Sequence, residues 1–460
     1  MPFHSSAYLF LFLPVAVGLY FLSHALRFPR VARLSLILAS LVFYAWSGPW
    51  NLPVLAASIG MNFWLGREVL KLPRGSQRRR WVFVASLAFN LLLLGCFKYA
   101  GFVLSNVNAI LGTSLPALHL LLPLGISFFT LQQIAFQVDT YENLVRESSF
   151  LDYLLFVSFF PQLVSGPIVH HKETMPQFRK AENAALNLSN VAAGVFVLFA
   201  GIVKKVLIAD TLAPYVQQGF DSSRALTLLE AWLASWAFTC QLYFDFSGYT
   251  DMAIGSALLF NVSLPINFDS PLKSKSIIEF WSRWHTTLTN FLTTYVYTPI
   301  FRAFKKRSFA KSMLAVFVTF LVSGLWHGAS WTFVGFGVLH GVALLVNHSW
   351  RRLKLPMPAF WGWLLTFNLV NLSFVLFRTR DIHSFFQFVQ GMAGLNGIAL
   401  PAGLESQLKF LGSWGVQFAV LPLSVGGYLQ VWLMVFLAMV IVLSAKNSAA
   451  LSKDLRRYLG

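Results

Sequence analysis

The chain has 460 residues, of which 57% are hydrophobic and only 11% are charged, and its mean hydropathy is +0.64. A soluble globular protein carries about 25% charged residues, so the composition excludes a soluble protein and predicts a polytopic membrane protein. The net charge of +18 does not indicate a nucleic-acid partner, because the Lys and Arg residues fall mostly in short loops between apolar segments, as in the cytoplasmic loops of membrane proteins.

Apolar segments recur along the whole chain. A bilayer core about 30 Å thick needs roughly 20 apolar residues per helical span. We therefore predict an all-α bundle of about 11–13 spanning or re-entrant helices in a single membrane domain over residues 1–460. The candidate segments are 7–26, 31–47, 50–66, 81–97, 115–136, 151–166, 186–209, 228–245, 312–326, 330–348, 359–377 and 428–445.

The basic loops predict the topology. Lys and Arg gather in "RFPRVAR", "KLPRGSQRRR", "FRAFKKRSFAK", "RRLK" and the C-terminal tail, which we expect to face the cytoplasm, with the N-terminus outside. The first apolar segment is interpreted as a retained span, since no basic region precedes it. Cys96 and Cys240 lie in apolar segments without a C-x-x-C partner, so neither a disulfide framework nor a structural zinc site is expected.

The segment "FFPQLVSGPIVHHKETMPQF" has proline and glycine within an apolar run. Irregular backbone at membrane depth is tolerated only where protein buries it or it lines a cavity, so we predict a broken or re-entrant helix beside an internal cavity. His170 and His171 could bind a metal. However, adjacent residues diverge on a helix and no carboxylate stands at a matching spacing, so we interpret them as polar residues at a cavity mouth and expect no metal.

A second punctuated segment is "LYFDFSGYTDMAIGSALLFNVSLPINFDSP". Ser247, Gly248 and Tyr249 are expected to interrupt its helix. Its three aspartates, Asp245, Asp251 and Asp269, have two interpretations. They are either a proton or ion relay or, slightly favoured, carboxylates that accept hydrogen bonds from backbone N–H groups at the break.

Residues 275–299 predict an amphipathic helix. Apolar side chains recur there at steps of three and four from Ile277 to Phe291, which is one face of a helix. Glu279 and Arg283 form an i, i+4 pair in the favourable order. The helix carries His285.

The stretch "SGLWHGASWTFVGFGVLHG" places His327 in an apolar environment between Gly324 and Gly328, which we expect to leave room for a substrate. An ionised residue inside a membrane segment costs about 2.5–3.5 kcal/mol, and burial favours neutral imidazole, the form that a general base requires. The residues alone leave catalysis and a buried structural histidine equally open. His340, on an apolar face, is interpreted as a hydrogen-bonded packing residue.

"FWSRWHTTLTNFL" followed by "SGLWHGASWTFVGFGVLHG" resembles the paired signature of the membrane-bound O-acyltransferases. The likeness is strongest to the bacterial branch that contains alginate O-acetyltransferase and the teichoic-acid D-alanyl transfer protein. Further stretches are similar to that branch in the same order, so the resemblance covers nearly the whole chain. They are "PLGISFFTLQQIAFQVDTY", "FFPQLVSGPIVHH", "LYFDFSGYTDMAIG" and "NFDSP".

The resemblance implies a helical bundle around a transverse tunnel, with the acyl donor entering from the cytoplasm and the acceptor meeting it from the other side. His327 falls on the family's catalytic histidine and His285 on the second signature histidine. Whether the acyl group passes directly or through an acyl-histidine stays open. The substrate-binding residues that we expect are Arg283, Trp284, Trp326 and Asp245.

The function expected from the resemblance is transfer of acetyl from acetyl-CoA, without a cofactor, across the bacterial inner membrane to an alginate- or cellulose-like exopolysaccharide. Where alginate-type members usually continue "RDYLYIPLGGN", this chain reads "TTYVYTPIFRAFKKR", which weakens the case for alginate itself. The alternatives are peptidoglycan O-acetylation or another acyl transfer to the envelope. A transporter or flippase is a different class, but such proteins commonly show two related halves, and none are found here. A non-catalytic scaffold is a third class.

We also expect a partner protein. The chain shows no soluble domain, its external loops look short, and it has no G-x-S-x-G nucleophile motif. The resemblance to the alginate and teichoic-acid proteins also implies a separate partner protein. The expected partner is an extracytoplasmic acetyltransferase or esterase-like protein with its own serine nucleophile, acting on the polysaccharide acceptor.

Overall fold

The computed structural model describes residues 1–116, 120–145, 149–222, 224–419 and 428–459, and these residues are mostly helical, which confirms the all-α prediction. Each of the twelve predicted segments contains a helix, although residues 117–119 of the predicted segment 115–136 lie outside the described residues. The helices are α1 Leu13–Ala25, α2 Pro29–Ala45, α3 Asn51–Lys71, α4 Gln77–Leu94, α5 Ala100–Leu111, α6 Ile126–Tyr141, α7 Phe150–Ser158, α8 Phe160–Leu163, α9 His171–Thr174, α10 Leu188–Ile202, α11 Asp210–Phe220, α12 Leu228–Leu258, α13 Ile277–Arg283, α14 Thr286–Leu292, α15 Thr298–Ala303, α16 Phe309–His327, α17 Trp331–Arg352, α18 Ala359–Arg378, α19 Ile382–Met392, α20 Glu405–Leu408, α21 Tyr428–Ser444 and α22 Ser448–Leu459.

Six helical stretches within the described residues are long and apolar enough to cross a membrane, and the bent pair α21–α22 makes a seventh if it counts as one span. The remaining predicted segments are shorter or more polar helices packed among these. The six stretches are Tyr8–Ala25, Gln77–Leu111, Leu188–Phe220, Phe309–His327, Trp331–Arg352 and Ala359–Arg378.

Several helices run on through π-helical turns, where the chain adds a residue to the turn and redirects its side chains. Two of these turns position residues of the site described below. They are Gly95–Tyr99, between α4 and α5, and Thr293–Tyr297, between α14 and α15; the others are Tyr8–Phe12 and Val203–Ala209.

Helix α12 is continuous over 31 residues, so the predicted interruption at Ser247–Tyr249 is wrong. Gly248 serves close packing instead. A Cβ atom there would lie 2.8 Å from the carbonyl oxygen of Gly201 on α10, and one on Gly201 would lie 2.5 Å from the carbonyl oxygen of Gly248. Gly194 and Gly255 are in contact in the same way, farther along the same two helices. These four glycines, here called the glycine seam, bring two backbones into contact as small residues do in membrane helix pairs.

Because α12 has no break, its aspartates do not accept hydrogen bonds from broken backbone, as had been expected. They pair with lysines that follow α10. The Nζ atom of Lys205 lies 2.6 Å from Oδ1 of Asp245, and Nζ of Lys204 lies 2.6 Å from Oδ2 of Asp251. Asp251 also accepts a hydrogen bond from the hydroxyl of Ser448, at the start of α22.

The predicted amphipathic helix over residues 275–299 is divided at Trp284 and His285. His285 has φ 45°, a left-handed conformation that is uncommon for residues other than glycine. The backbone groups freed at the break pair with residues 267–269, through bonds from Asp269 N–H to Arg283 C=O and from Thr286 N–H to Asn267 C=O. The backbone polar groups at the break are therefore hydrogen-bonded, and His285 lies between the two helices rather than within one.

A short parallel pair, β1 (Ile398–Pro401) and β2 (Val416–Ala419), lies between α19 and α21. It is joined to the membrane bundle by a bond from the N–H of Leu228 to the carbonyl of Gly397. This layer was not predicted from the sequence.

Candidate active site

A cavity of roughly 310 Å³ brings together the two histidines of the sequence motifs. Its polar groups come from five separate parts of the chain, and its apolar walls include Phe128 and Phe246. The polar and indole groups on its wall are those of Lys98, Ser127, Ser165, His285, Trp326 and His327. The structure thus brings three of the predicted site residues, His285, Trp326 and His327, to one cavity.

His327 is the last residue of α16 and is half-buried at the cavity wall. Its ring packs between aromatic side chains, with centroid distances of 5.0 Å to Trp326, 5.3 Å to Phe377 and 5.6 Å to Phe336. Among the residues that the structure describes, none forms a hydrogen bond with its imidazole nitrogens. The ring is thus held in place by packing, and its nitrogens remain available to a substrate.

The glycines beside His327 do not leave empty space, as had been expected. A Cβ atom on Gly324 would lie 2.3 Å from the carbonyl oxygen of Phe333, and one on Gly328 would lie 2.0 Å from the ring of Phe333. Their small size lets α17 pack against the end of α16. They position His327 rather than admit the substrate.

His285 is almost fully buried and its ring is oriented by Asn267. The Oδ1 atom of Asn267 accepts hydrogen bonds from the backbone N–H of Thr287, at 3.3 Å, and from the hydroxyl of Thr287, at 2.9 Å. Because that atom is an acceptor, Nδ1 of His285, 3.0 Å away, must be the donor. The lone pair of His285 is therefore on Nε2, which is buried and lacks a hydrogen-bond partner in the described part of the chain.

Lys98 is a cavity residue that the sequence analysis did not single out. Its ammonium group donates to the backbone carbonyl of Trp326 and, at 3.2 Å, to the hydroxyl of Ser127. Carbonyls in the last turn of a helix lack intrahelical partners, so Lys98 stabilises the end of α16 directly beside His327. The signal in the sequence was a lysine at the end of an apolar run.

Two further cavities reach the residues that hold His285. One, of roughly 240 Å³, is lined by Asn267 and by Ser452, Lys453 and Arg456 of α22. Another, of roughly 80 Å³, is lined by Thr287 and by His170 and Tyr295. Asn267 bonds to both Thr287 and His285, and each of the three residues lines a different cavity; we call these three residues the junction.

Three predicted substrate-binding residues are not on the walls of these described cavities. Arg283 pairs with Glu279 at 2.8 Å, as the i, i+4 spacing predicted. Trp284 is buried between Phe268 and Phe280. Asp245 is about half exposed in its pair with Lys205. Their predicted contact with substrate has no support from these positions.

The structure also shows which groups surround the other histidines that the sequence analysis discussed. His340 is buried and its Nδ1 accepts a hydrogen bond of 3.2 Å from the indole of Trp281, in agreement with a packing role.

His170 and His171 do have a carboxylate partner. Asp139, from the end of α6, lies 3.4 Å from Nδ1 of each, so the reason given for discounting them as ligands is wrong.

Residues 117–380 match the membrane-bound O-acyltransferase family. The chain is 43% identical to the peptidoglycan O-acetyltransferase of Helicobacter pylori, over 89% of this chain and 83% of that protein. It is 35% identical to a probable alginate O-acetylase of Azotobacter vinelandii, over 94% of this chain and 85% of that one. It is 28% identical to the teichoic acid D-alanyltransferase of Streptococcus thermophilus, over 55% and 68%.

Proposed function

Because the chain belongs to the membrane-bound O-acyltransferase family, we propose that it transfers acetyl from cytoplasmic acetyl-CoA, across the bacterial inner membrane, toward a glycan of the cell envelope. The observation that carries this proposal is the cavity where His285 and His327 meet, with two further cavities beside it that are each lined by one other residue of the junction. We assign these two cavities to the donor and the acceptor, which would approach one pair of imidazoles separately.

The donor approaches through the cavity under α22. Acetyl-CoA carries phosphate groups at one end, and Lys453 and Arg456 line this cavity. Cations that face a ligand phosphate form charge-assisted hydrogen bonds with it. α22 belongs to the tail predicted to be cytoplasmic, and on that prediction the cavity opens to the side from which acetyl-CoA is supplied. Asn267 then lies between the donor cavity and His285.

The chemistry follows from the groups around the central cavity. His327 takes the proton of the attacking hydroxyl as the new C–O bond forms and the C–S bond of the thioester breaks, and this proton then passes to the leaving thiolate. A positioned base of this kind contributes typically about 10²–10⁴-fold. His285, through its free Nε2, positions the reacting groups. Lys98 stabilises the negative charge that develops on the acyl oxygen.

Peptidoglycan is the first acceptor to test. The sequence analysis placed an exopolysaccharide first, but the relative that acts on peptidoglycan is 43% identical and the alginate relatives are 35–37% identical. The acceptor hydroxyl at this protein need not belong to the glycan itself. We propose that an extracytoplasmic acetyltransferase or esterase-like partner receives the acetyl group on its serine and passes it to the glycan.

Reconstitution tests this proposal. The purified chain in liposomes would receive acetyl-labelled acetyl-CoA inside and peptidoglycan fragments, alginate or cellulose oligomers outside, with and without the partner. We expect CoA release and glycan acetylation that require the partner and favour peptidoglycan. Efficient acetylation by this chain alone would exclude the partner step, and the absence of CoA release with every acceptor would exclude acetyl-CoA as donor. His327→Ala is the inactive control.

A further inference from the structure

Asp139, His170 and His171 form a cluster of possible metal ligands away from the central cavity. Oδ2 of Asp139 lies 3.4 Å from Nδ1 of His170 and 3.4 Å from Nδ1 of His171. The three ligand atoms all lie within 4.8 Å of one another. Nothing in the acyl-transfer chemistry requires this arrangement.

The local backbone explains how two adjacent histidines face one carboxylate. His170 is extended, with φ −92° and ψ 138°, and α9 begins only at His171. The divergence expected for neighbours on a helix therefore does not apply at this position. Asp139 comes from the last turns of α6, 31 positions earlier in the chain, which is why no sequence spacing indicated it.

The cluster leaves buried polar atoms without hydrogen bonds. Within the described residues, Oδ2 of Asp139 and both ring nitrogens of His171 are buried and lack a hydrogen-bond partner. His171 is only 7% exposed and Asp139 3%. An unsatisfied buried polar group costs about 1–3 kcal/mol, and a charged one costs more, so Oδ2 of Asp139 and Nδ1 of His171, which lie 3.4 Å apart, indicate a ligand that they bind together.

We propose that Asp139, His170 and His171 bind a zinc ion through one carboxylate oxygen and two Nδ1 atoms. Zinc–ligand bonds of about 2.0–2.1 Å in a tetrahedron separate the ligand atoms by about 3.4 Å. The two oxygen–nitrogen distances of 3.4 Å have this value. Two imidazoles and a carboxylate favour zinc over magnesium or calcium, which prefer oxygen ligands only. The fourth position is left to water.

Tyr295 supports the same assignment from outside the ligand set. Its hydroxyl donates to Oδ1 of Asp139, at 3.2 Å, and contacts Nε2 of His170. Oδ1 and Nε2 are the atoms of these two side chains that do not face the proposed ion. Metal ligands are commonly oriented by such hydrogen bonds on their outer atoms, so Tyr295 fixes both groups with their ligand atoms turned toward the ion.

The ion would fasten the irregular segment before α9 to the end of α6. This segment bonds to the junction, because the N–H of Ile168 donates to the hydroxyl of Thr287, at 3.1 Å. It also supplies Val164 and Ser165 to the wall of the central cavity. The ion would therefore hold in place a segment that lines both of these cavities.

Metal content tests the proposal independently of acyl transfer. The full chain, purified in detergent and incubated with zinc chloride, would be freed of excess ion and measured by mass spectrometry, with affinity from competition against a chromophoric chelator. We expect about one zinc per chain. His383→Gln, at an exposed histidine, is the matched control and should retain the ion.

Asp139→Asn and His171→Gln should lose the ion or bind it more than about a hundredfold more weakly, since even outer partners of ligands contribute 10–100-fold. Tyr295→Phe, which leaves all three ligands in place, should weaken binding by about 10–100-fold and keeps the test valid if the ligand variants misfold. A wild-type chain that retains no zinc, or variants that bind it as tightly as wild type, would overturn the proposal and leave the cluster as an ion pair.

Discussion

The two cavity histidines are held by different interactions. Asn267 fixes both the ring orientation and the tautomer of His285, whereas aromatic packing surrounds His327. A ring with a fixed lone pair suits recognition of one group in one place. A ring without a protein hydrogen bond can gain and release a proton with less disturbance around it. The two residues should therefore respond differently to substitution.

His327→Ala should abolish acetyl transfer with little effect on accumulation of the protein, because the ring is half-buried and bonds to no described side chain. Loss of a general base lowers kcat by typically about 10²–10⁴-fold. The measurement is glycan acetyl content in cells at equal protein level, with kcat for the purified chain. Acetylation near the wild-type level would remove His327 from the chemistry.

Asn267→Leu should reduce transfer by freeing the ring of His285, with an effect on both KM and kcat. Thr287→Val is the matched variant, since it removes one hydrogen bond to Asn267 but leaves the bond to His285 intact. We expect the first change to cost about ten- to a hundredfold and the second clearly less. Steady-state kinetics of both variants give the comparison; equal losses would mean that the tautomer of His285 is unimportant.

Sequence reasoning found the residues whose chemistry contrasts with their surroundings. A histidine in an apolar run stands out, as His327 does, but the residues alone left its role open, and the roles expected of His327 and His285 came from the resemblance to the family signature. Lys98 is also a polar residue beside an apolar run. However, it lies just past the predicted segment 81–97, where a lysine normally extends toward the membrane interface. Asn267 and Asp139 are identified only by their partners, and those partners come from distant parts of the chain.

At the level of helices, a glycine has two structural interpretations, a break in the helix or a close contact with another helix. The sequence analysis chose the wrong one for Gly248. A glycine inside a helical pattern weakens it, but it also lets two helix backbones touch. The difference depends on what lies opposite, and Gly201 is 47 positions away. The prediction of one continuous helix over residues 275–299 failed for a related reason. The backbone bonds that stabilise the break at His285 come from residues 267–269, which lie outside the periodic segment.

Gly201→Ala should destabilise the protein, because the added Cβ would lie 2.5 Å from the carbonyl oxygen of Gly248 and the helices would have to separate. Overpacking of this kind costs about 1–3 kcal/mol. Gly60→Ala in α3 is the control, since nothing lies within 4 Å of its new Cβ. Thermal unfolding in detergent should show a lower midpoint for Gly201→Ala alone; similar midpoints for both variants would refute the role of the glycine seam.

Helix α22 gives a prediction about the donor. Lys453→Gln and Arg456→Gln should raise KM for acetyl-CoA with a smaller change in kcat, because each removes a cation from the wall of the donor cavity and not from the reacting groups. Lys446→Gln, whose ammonium pairs with Asp454, is a control from the same tail. A KM unaffected by either change would place the phosphates elsewhere.

The whole molecule was predicted as a helical bundle because apolar length is a strong signal. The β1–β2 layer was missed because two four-residue strands are too short to give a clear alternating pattern. Arg79, in the first turn of α4, donates to the carbonyl of Tyr141 at the end of α6, so the end of α6 lies beside the basic segment that begins α4. The orientation of the molecule in the membrane stays a prediction.

Cysteine labelling tests the orientation of the whole molecule. In a background without Cys96 and Cys240, cysteines at Gln77 and Ser308 should resist membrane-impermeant thiol reagents in intact cells and react after the cells are opened. Gly403→Cys, in the β1–β2 layer, should react in intact cells. The reverse pattern would invert the topology and put the donor cavity on the wrong side.

The junction also has a consequence for the energy metabolism of the cell. Each of the three cavities is lined by a different residue of the junction, so these three side chains lie between the cavities. A voltage of 100 mV is worth about 2.3 kcal/mol for each charge moved through it. If the proposed donor and acceptor approaches open to opposite sides of the membrane, that voltage falls across the junction, and Asn267 and His285 then have to exclude protons for the membrane to stay electrically insulating.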